Sequence, residues 1–232
     1  MTARTDRTRW LALAVLCRGD LMIVLDTTIV NVALPSIRND LGFSQTSLAW
    51  VVNAYILTFG GFLLLGGRLA DLFGARRLFL AGISLFTVAS LACGISTSQG
   101  MLVGARAVQG VGGAVVSAVA FSLIMTLFTE AGERAKEMGF FGFVLSGGGT
   151  SGVLLGGVLT DTLSWHWIFL GNLPLGIRVY FLSRRLLTAV RGMATGRGDA
   201  GVHPVGLGGG GGRRAGPGEL AHGRLEVAPH GP

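Results

Sequence analysis

An aspartate stands inside a long apolar segment. In Leu25-Asp26-Thr27-Thr28-Ile29-Val30-Asn31-Val32-Ala33-Leu34-Pro35, one carboxylate interrupts a stretch that begins near Trp10. A charge at the centre of a membrane helix costs about 2.5–3.5 kcal/mol on insertion scales. A chain that keeps one usually uses it, most often as a proton or ion site. Arg106 poses the same question near the start of a later apolar stretch, Arg106-Ala107-Val108-Gln109-Gly110-Val111-Gly112-Gly113-Ala114. A guanidinium there must face the interior of the bundle and find a carboxylate or carbonyl, and Asp26 is the candidate partner. A cation nearby favours an ionised carboxylate, and its withdrawal helps the carboxylate take a proton. Asp26 and Arg106 are therefore the candidate proton-coupling residues. An arginine reaching back to the membrane edge is the plainer alternative for Arg106.

Two further groups of residues have the spacing of mechanical parts. Gly67-Arg68-Leu69-Ala70-Asp71-Leu72-Phe73-Gly74-Ala75-Arg76-Arg77 joins two apolar stretches. Its glycines allow a tight turn and close helix approach. Asp71 is suited to accept from backbone amides at a helix N-terminus. Arg76 and Arg77 are suited to pair with carboxylates or lipid phosphates. Further on, Gly148, Gly152 and Gly156 recur every four residues, with Gly157 beside the last. That period lays a smooth stripe along one helix face for close packing.

These residues sit in a chain whose composition is that of a membrane protein. Half of its 232 residues are hydrophobic, 13% are charged, and mean hydropathy is +0.61. Soluble domains carry about 25% charged residues. Cys17 and Cys93 both lie in apolar stretches without metal-site or redox spacing, and read as small buried hydrophobes. No nucleotide-binding loop or nucleophile constellation is present, so no enzyme activity and no cofactor is expected. Energy would come from an ion gradient. The net charge of +7 is concentrated toward the end of the chain, and the apolar composition argues against nucleic acid as a partner.

About 20 apolar residues cross a bilayer as a helix. Six segments qualify: 11–34, 48–67, 78–95, 102–128, 138–159 and 167–187. The domain reading is an N-terminus at 1–9, a six-span bundle at 10–190 and a disordered Gly/Arg-rich tail at 191–232. Fourteen of those last 42 residues are glycine, too little apolar surface to offset the entropy of ordering. A shifted reading frame would produce such a tail, and a natural flexible tail is the milder account. Arginines gather on one set of loops (Arg4, Arg7 and Arg9, then Arg76 and Arg77, then Arg134 with Lys136), while the opposite loops hold only Arg38. That bias places both termini in the cytoplasm of a multi-pass plasma-membrane protein. Gly66-Gly67-Arg68-Leu69-Ala70-Asp71 and Gly156-Gly157-Val158-Leu159-Thr160-Asp161 share the pattern GGxLxD, three spans apart. The expected fold is all-α: six helices in a 3+3 inverted repeat.

The Asp26 run resembles the first-helix signature of the EmrB/QacA-type drug:proton antiporters, a branch of the major facilitator superfamily with about 14 spans. The loop 67–77 is similar to the superfamily's conformational-switch motif. The Arg106 run is similar to the motif linked to proton transfer, and the glycine stripe to the antiporter motif. Ser164-Trp165-His166-Trp167-Ile168-Phe169, followed by Asn172, Pro174 and Gly176, resembles the lead into the sixth span. Its tryptophans read as an interfacial belt.

The resemblance covers residues 10–190 and implies the N-terminal half of a transporter that exports hydrophobic or cationic small molecules in exchange for protons. The other partners implied are the lipid bilayer and either a second copy or a C-terminal half. A chain with one half is expected to be a truncated, inactive transporter unless two copies associate. The alternative is a non-transporting membrane protein that assembles with or regulates a partner transporter. Five residues depart from the pattern. Val153 replaces the antiporter-motif proline and His166 an arginine. Arg18-Gly19-Asp20 and Arg178 place charge where the family is apolar.

Overall fold

Glycine and serine punctuate the chain where its helices stop. The computed structural model describes residues 2–127 and 131–198, with side chains described from 10 to 186 apart from 71, 126–131, 133–134, 137 and 161. Seven helices follow in order: α1 (Thr2–Leu41), α2 (Gln45–Phe73), α3 (Ala75–Gly94), α4 (Gln99–Leu127), α5 (Ala131–Thr162), α6 (His166–Leu170) and α7 (Asn172–Gly198). No strand occurs among the described residues. Ser44 caps α2: its hydroxyl accepts from the Ser47 amide at 3.1 Å, and the Ser47 hydroxyl accepts from the Ser44 amide at 2.9 Å. Gly74 alone separates α2 from α3, at φ +87°, where a side chain is strained. The end of α1 is tied down by the Gln99 side-chain amide, which donates to the carbonyls of Leu41 and Gly42 at 3.1 and 3.0 Å.

Boundaries differ from expectation in three places. First, α1 runs through Pro35 to Leu41 instead of ending at 34. Second, the sixth apolar segment is broken: α6 stops at Leu170 and α7 starts at Asn172. Pro174 lacks the N–H that a continuous helix would bond to the Leu170 carbonyl, and it is tolerated in the first turn of α7, where such a donor has no helical partner. Third, α7 continues to Gly198, eight residues into the segment expected to be disordered. Arg191, Met193 and Ala194 are good helix formers. The rest of the expected tail, 199–232, lies outside the described residues.

Four helices among the described residues are long and apolar enough to span a membrane: Gln45–Ala70, Ala75–Gly94, Gln99–Met125 and Met138–Thr160. The other two expected spans, in α1 and α7, are helical but interrupted by charge: Arg18, Asp20 and Asp26 in one, Arg178, Arg184 and Arg185 in the other.

The pairing of helices follows the repeat. α2 packs along α4 and α5 along α1; α3 packs on α4 and α7 on α1; α3 and α7 meet each other. Exchanging the first three spans for the last three maps each of these pairs onto its counterpart. The GGxLxD glycines behave alike. Gly66 lies against Val115 and Ala118 of α4, and Gly156 against Ile29 and Val32 of α1. Two apolar clusters close the ends of the bundle. One gathers Leu13, Leu16, Phe79, Phe86 and Val119, the other Ile37, Phe43, Leu102, Trp165 and Phe169. Polar residues are buried between them.

Candidate functional site

Between the two apolar clusters Asp26 of α1 meets Arg106 of α4. Arg106 Nη1 stands 2.6 Å from Asp26 Oδ2, with both side chains 1% exposed. The other carboxylate oxygen, Oδ1, accepts from Gln109 Nε2 at 2.9 Å and from Asn172 Nδ2 at 2.8 Å. Arg106 also donates to Gln109 Oε1 at 2.7 Å and, through Nε, to the Val51 carbonyl at 3.1 Å. Its guanidinium carbon lies 4.2 Å from the centre of the Tyr55 ring and 5.8 Å from that of Phe169. Gln109 Nε2 further donates to Ser90 Oγ at 2.7 Å. One buried ion pair is thus wrapped by polar groups from α3, α4 and α7, a carbonyl of α2, and two aromatic faces.

Local sequence explains the convergence. Arg106 and Gln109 are three apart, so they share one face of α4. Gly110 and Gly113, on the next turn, let α2 close over that face. A Cβ at Gly110 would collide with Thr58 and the Tyr55 carbonyl, and one at Gly113 would sit 2.9 Å from the Tyr55 hydroxyl. Asn172 reaches Asp26 because the break before Pro174 places it at the first turn of α7.

A buried ion pair survives only with good geometry and with its remaining hydrogen-bonding capacity satisfied. Both conditions hold at Asp26. The arrangement is a closed cluster in which both charged side chains are 1% exposed. The alternative in which Arg106 reaches to the membrane edge does not hold, because its guanidinium is spent inside the bundle.

Of this cluster, Asp26 and Arg106 are the residues that sequence reasoning assigns to coupling. Gln109 and Asn172 lie within the quoted motifs without a role there. The Arg-x-x-Gln spacing is a usable signal for Gln109. Ser90, Tyr55 and Phe169 carry none, since each reads as an ordinary residue of an apolar span.

The other expected sites are dispersed. In the loop 67–77, Gly74 makes the turn, and Arg76 donates from Nη2 to the Arg184 carbonyl at 3.1 Å, clasping α7. Arg77 is exposed. Gly67 faces open space. Asp71 falls in the last turn of α2 and not at a helix N-terminus, because α2 runs on to Phe73; its side chain lies outside the described residues.

On α5, a Cβ at Gly148 would meet Leu21, one at Gly152 would meet Thr28, and one at Gly156 would meet the Ile29 backbone. The stripe of three therefore seats α1. Gly157 is not part of it and faces open space. With Val153 in place of proline, α5 is one continuous helix. The two tryptophans divide: Trp167 is exposed, whereas Trp165 is buried and donates from Nε1 to Asp40 Oδ2 at 3.0 Å. The belt reading therefore fails for Trp165, which braces α6 against the end of α1. His166, expected in an open loop, is partly buried and stacks on Trp165.

A helical bundle with apolar outer faces and a charged pair buried at its centre is the architecture of a multi-pass membrane protein of the transporter class. Residues 19–204 match the family model described as Major Facilitator Superfamily, and the chain belongs to that family. It is similar to the "Puromycin resistance protein pur8" of Streptomyces alboniger, at 50% identity over 192 residues, covering 80% of this chain and 38% of that protein. It is also similar to the "Cephamycin export protein CmcT" of Amycolatopsis lactamdurans, at 46% identity with 84% and 41% covered. A third relative is the "Methylenomycin A resistance protein" of Bacillus subtilis, at 37% identity with 82% and 41% covered. The chain thus spans about two fifths of the length of these relatives.

Proposed function

We propose that this chain forms the six-span bundle that carries proton coupling in an exporter of small hydrophobic or cationic molecules. The observation that supports this reading is the buried Asp26–Arg106 pair, closed by Gln109 and Asn172. In this reading, proton uptake on Asp26 removes the charge that holds Arg106. The guanidinium then relies on the Val51 carbonyl, Gln109 and the Tyr55 face. The pair would then have two arrangements, and a change between them would shift α4 against α1. The names of the relatives, which speak of puromycin, cephamycin and methylenomycin, point to antibiotic-sized cargo.

Alternating access in such folds rocks one bundle against another around a shared site. The second bundle would meet the exposed apolar faces of α2 and α5, which carry Ile56, Leu57 and Leu64, and Phe143, Leu154 and Val158. The segment 67–77, with Asp71 before its turn and Arg77 after it, would act as the latch between bundles. Gly148, Gly152 and Gly156 would let α5 slide on α1. Both termini would face the cytoplasm. A cysteine at Thr97 or Ser98, which lie between α3 and α4, would then be labelled from outside the cell. Labelling only from the cytoplasm would reverse the orientation.

The coupling role is tested with Asp26→Asn in this bundle joined to the remaining spans of a relative, reconstituted in vesicles. An imposed pH gradient should drive cargo uptake by the parent protein and not by the variant, while cargo binding persists in both. Uptake driven equally by the gradient in the variant removes Asp26 from the mechanism.

A further inference from the structure

Arg18 and Arg178 are arginines that the coupling pair does not use. They line a cavity of about 390 Å³ between α1 and α7, whose other walls are Val15, Leu21, Met22, Leu25, Leu175, Val179 and Leu182. That volume is at the small end of the roughly 300–1,000 Å³ of ligand pockets. Neither guanidinium has a hydrogen bond or ion pair among the described residues. Both lie within the helices' apolar stretches, and an arginine cannot shed its proton to escape. Two permanent positive charges beside one apolar cavity favour an anion between them.

Register places the two charges at one depth. Asn172 touches Asp26. From that contact, Arg178 lies about 9 Å along α7 and Arg18 about 12 Å back along α1, at 1.5 Å per residue. The wall beyond them toward the Asp26 level is aliphatic: Leu21, Met22, Leu25 and Leu175. On the α7 side Leu182 of the cavity wall is exposed, and Ile177 and Phe181 on the same helix are exposed apolar residues as well.

We propose that this cavity binds an anionic phospholipid from the leaflet on the side where α1 begins. The phosphate sits between Arg18 and Arg178, whose planar forks match its oxygens. One acyl chain runs inward along Leu21, Leu25 and Leu175. Charge complementarity selects an anionic headgroup over a zwitterionic one, and the aliphatic wall beside exposed apolar residues selects a lipid over a soluble anion. The lipid would bridge α1, which carries Asp26, to α7, which carries Asn172.

The test uses the whole chain in nanodiscs of phosphatidylcholine with a minority of phosphatidylglycerol. Lipids retained after release from the disc are counted by native mass spectrometry. Phosphatidylglycerol should be retained selectively. Arg18→Gln or Arg178→Gln should each weaken retention about tenfold or more, the scale of one charge-assisted hydrogen bond, and the double variant further. Arg38→Gln, outside the cavity, should change nothing. Leu182→Trp narrows the mouth at an exposed position and keeps both charges. It should also lower retention, so the proposal stays testable if the arginine variants fold poorly. Equal retention by the double variant and the parent overturns the site, and so does equal retention of phosphatidylcholine. Competition by octanoate or inorganic phosphate as strong as that by phosphatidylglycerol would reassign the cavity to a soluble anion.

Discussion

Two arginine sites in one bundle solve the same problem in opposite ways. Arg106 is buried, and its charge is met inside the chain by Asp26, Gln109, the Val51 carbonyl and two aromatic rings. Arg18 and Arg178 are exposed at the flank, and no described residue meets theirs. The first arrangement links charge to fold: the ion pair joins α1 to α4 inside the bundle. The second leaves charge outside the fold, where it responds to what surrounds the protein. A buried pair of this kind suits a switch, and an open pair suits a sensor of its surroundings.

The comparison breaks most sharply at Arg106. Arg106→Leu leaves Asp26 buried without its cation, and loss of one partner of a buried pair costs about 3–5 kcal/mol. Denaturant titration of the protein in mixed micelles should show that loss. The double variant Asp26→Asn/Arg106→Leu should recover much of it, because no unpaired charge remains. Additive losses would mean that the two side chains do not interact.

Next in size is the seam that carries Asp26. Gly152→Leu forces a side chain into Thr28 on α1, and overpacking of this kind costs about 1–3 kcal/mol. Gly157→Leu, one position off the stripe and facing open space, should cost nothing measurable by the same titration. Equal effects would mean that α5 does not seat on α1 through the stripe.

Asn172→Ala removes one donor from the carboxylate, a loss of about 1–3 kcal/mol for a bond to a charged group. In the coupled transport assay it should also lower gradient-driven uptake while cargo binding holds. A change in cargo binding alone would make Asn172 a cargo contact.

Much of this contrast is legible in the sequence, and the reasons differ from place to place. Asp26 and Arg106 announce themselves because charge in an apolar run is costly wherever it falls. The glycine stripe is legible because a four-residue period is a property of one helix. Gly157 misleads because adjacency in sequence is a turn of about 100° on a helix, which takes it off the stripe. Ser90, Tyr55 and Phe169 are invisible, since their roles arise only when several helices close on Arg106 and Gln109. The break between α6 and α7 is readable in Pro174, but hydropathy alone runs across it. The orphan status of Arg18 and Arg178 needs the structure, because a sequence shows which charges exist and not which ones meet.

The smallest effect is expected where the two sites differ most. Arg178→Gln removes an exposed charge that touches no described acid, and surface substitutions of this kind fall within about 0.5 kcal/mol. In phosphatidylcholine alone its stability should match the parent. With phosphatidylglycerol present, the parent should gain stability by mass action as lipid fills the cavity, and the variant should gain less. A destabilisation that is the same in both lipids would show that Arg178 acts within the fold, through a contact of the kind Arg106 makes. The contrast between an inward-facing and an outward-facing arginine would then collapse.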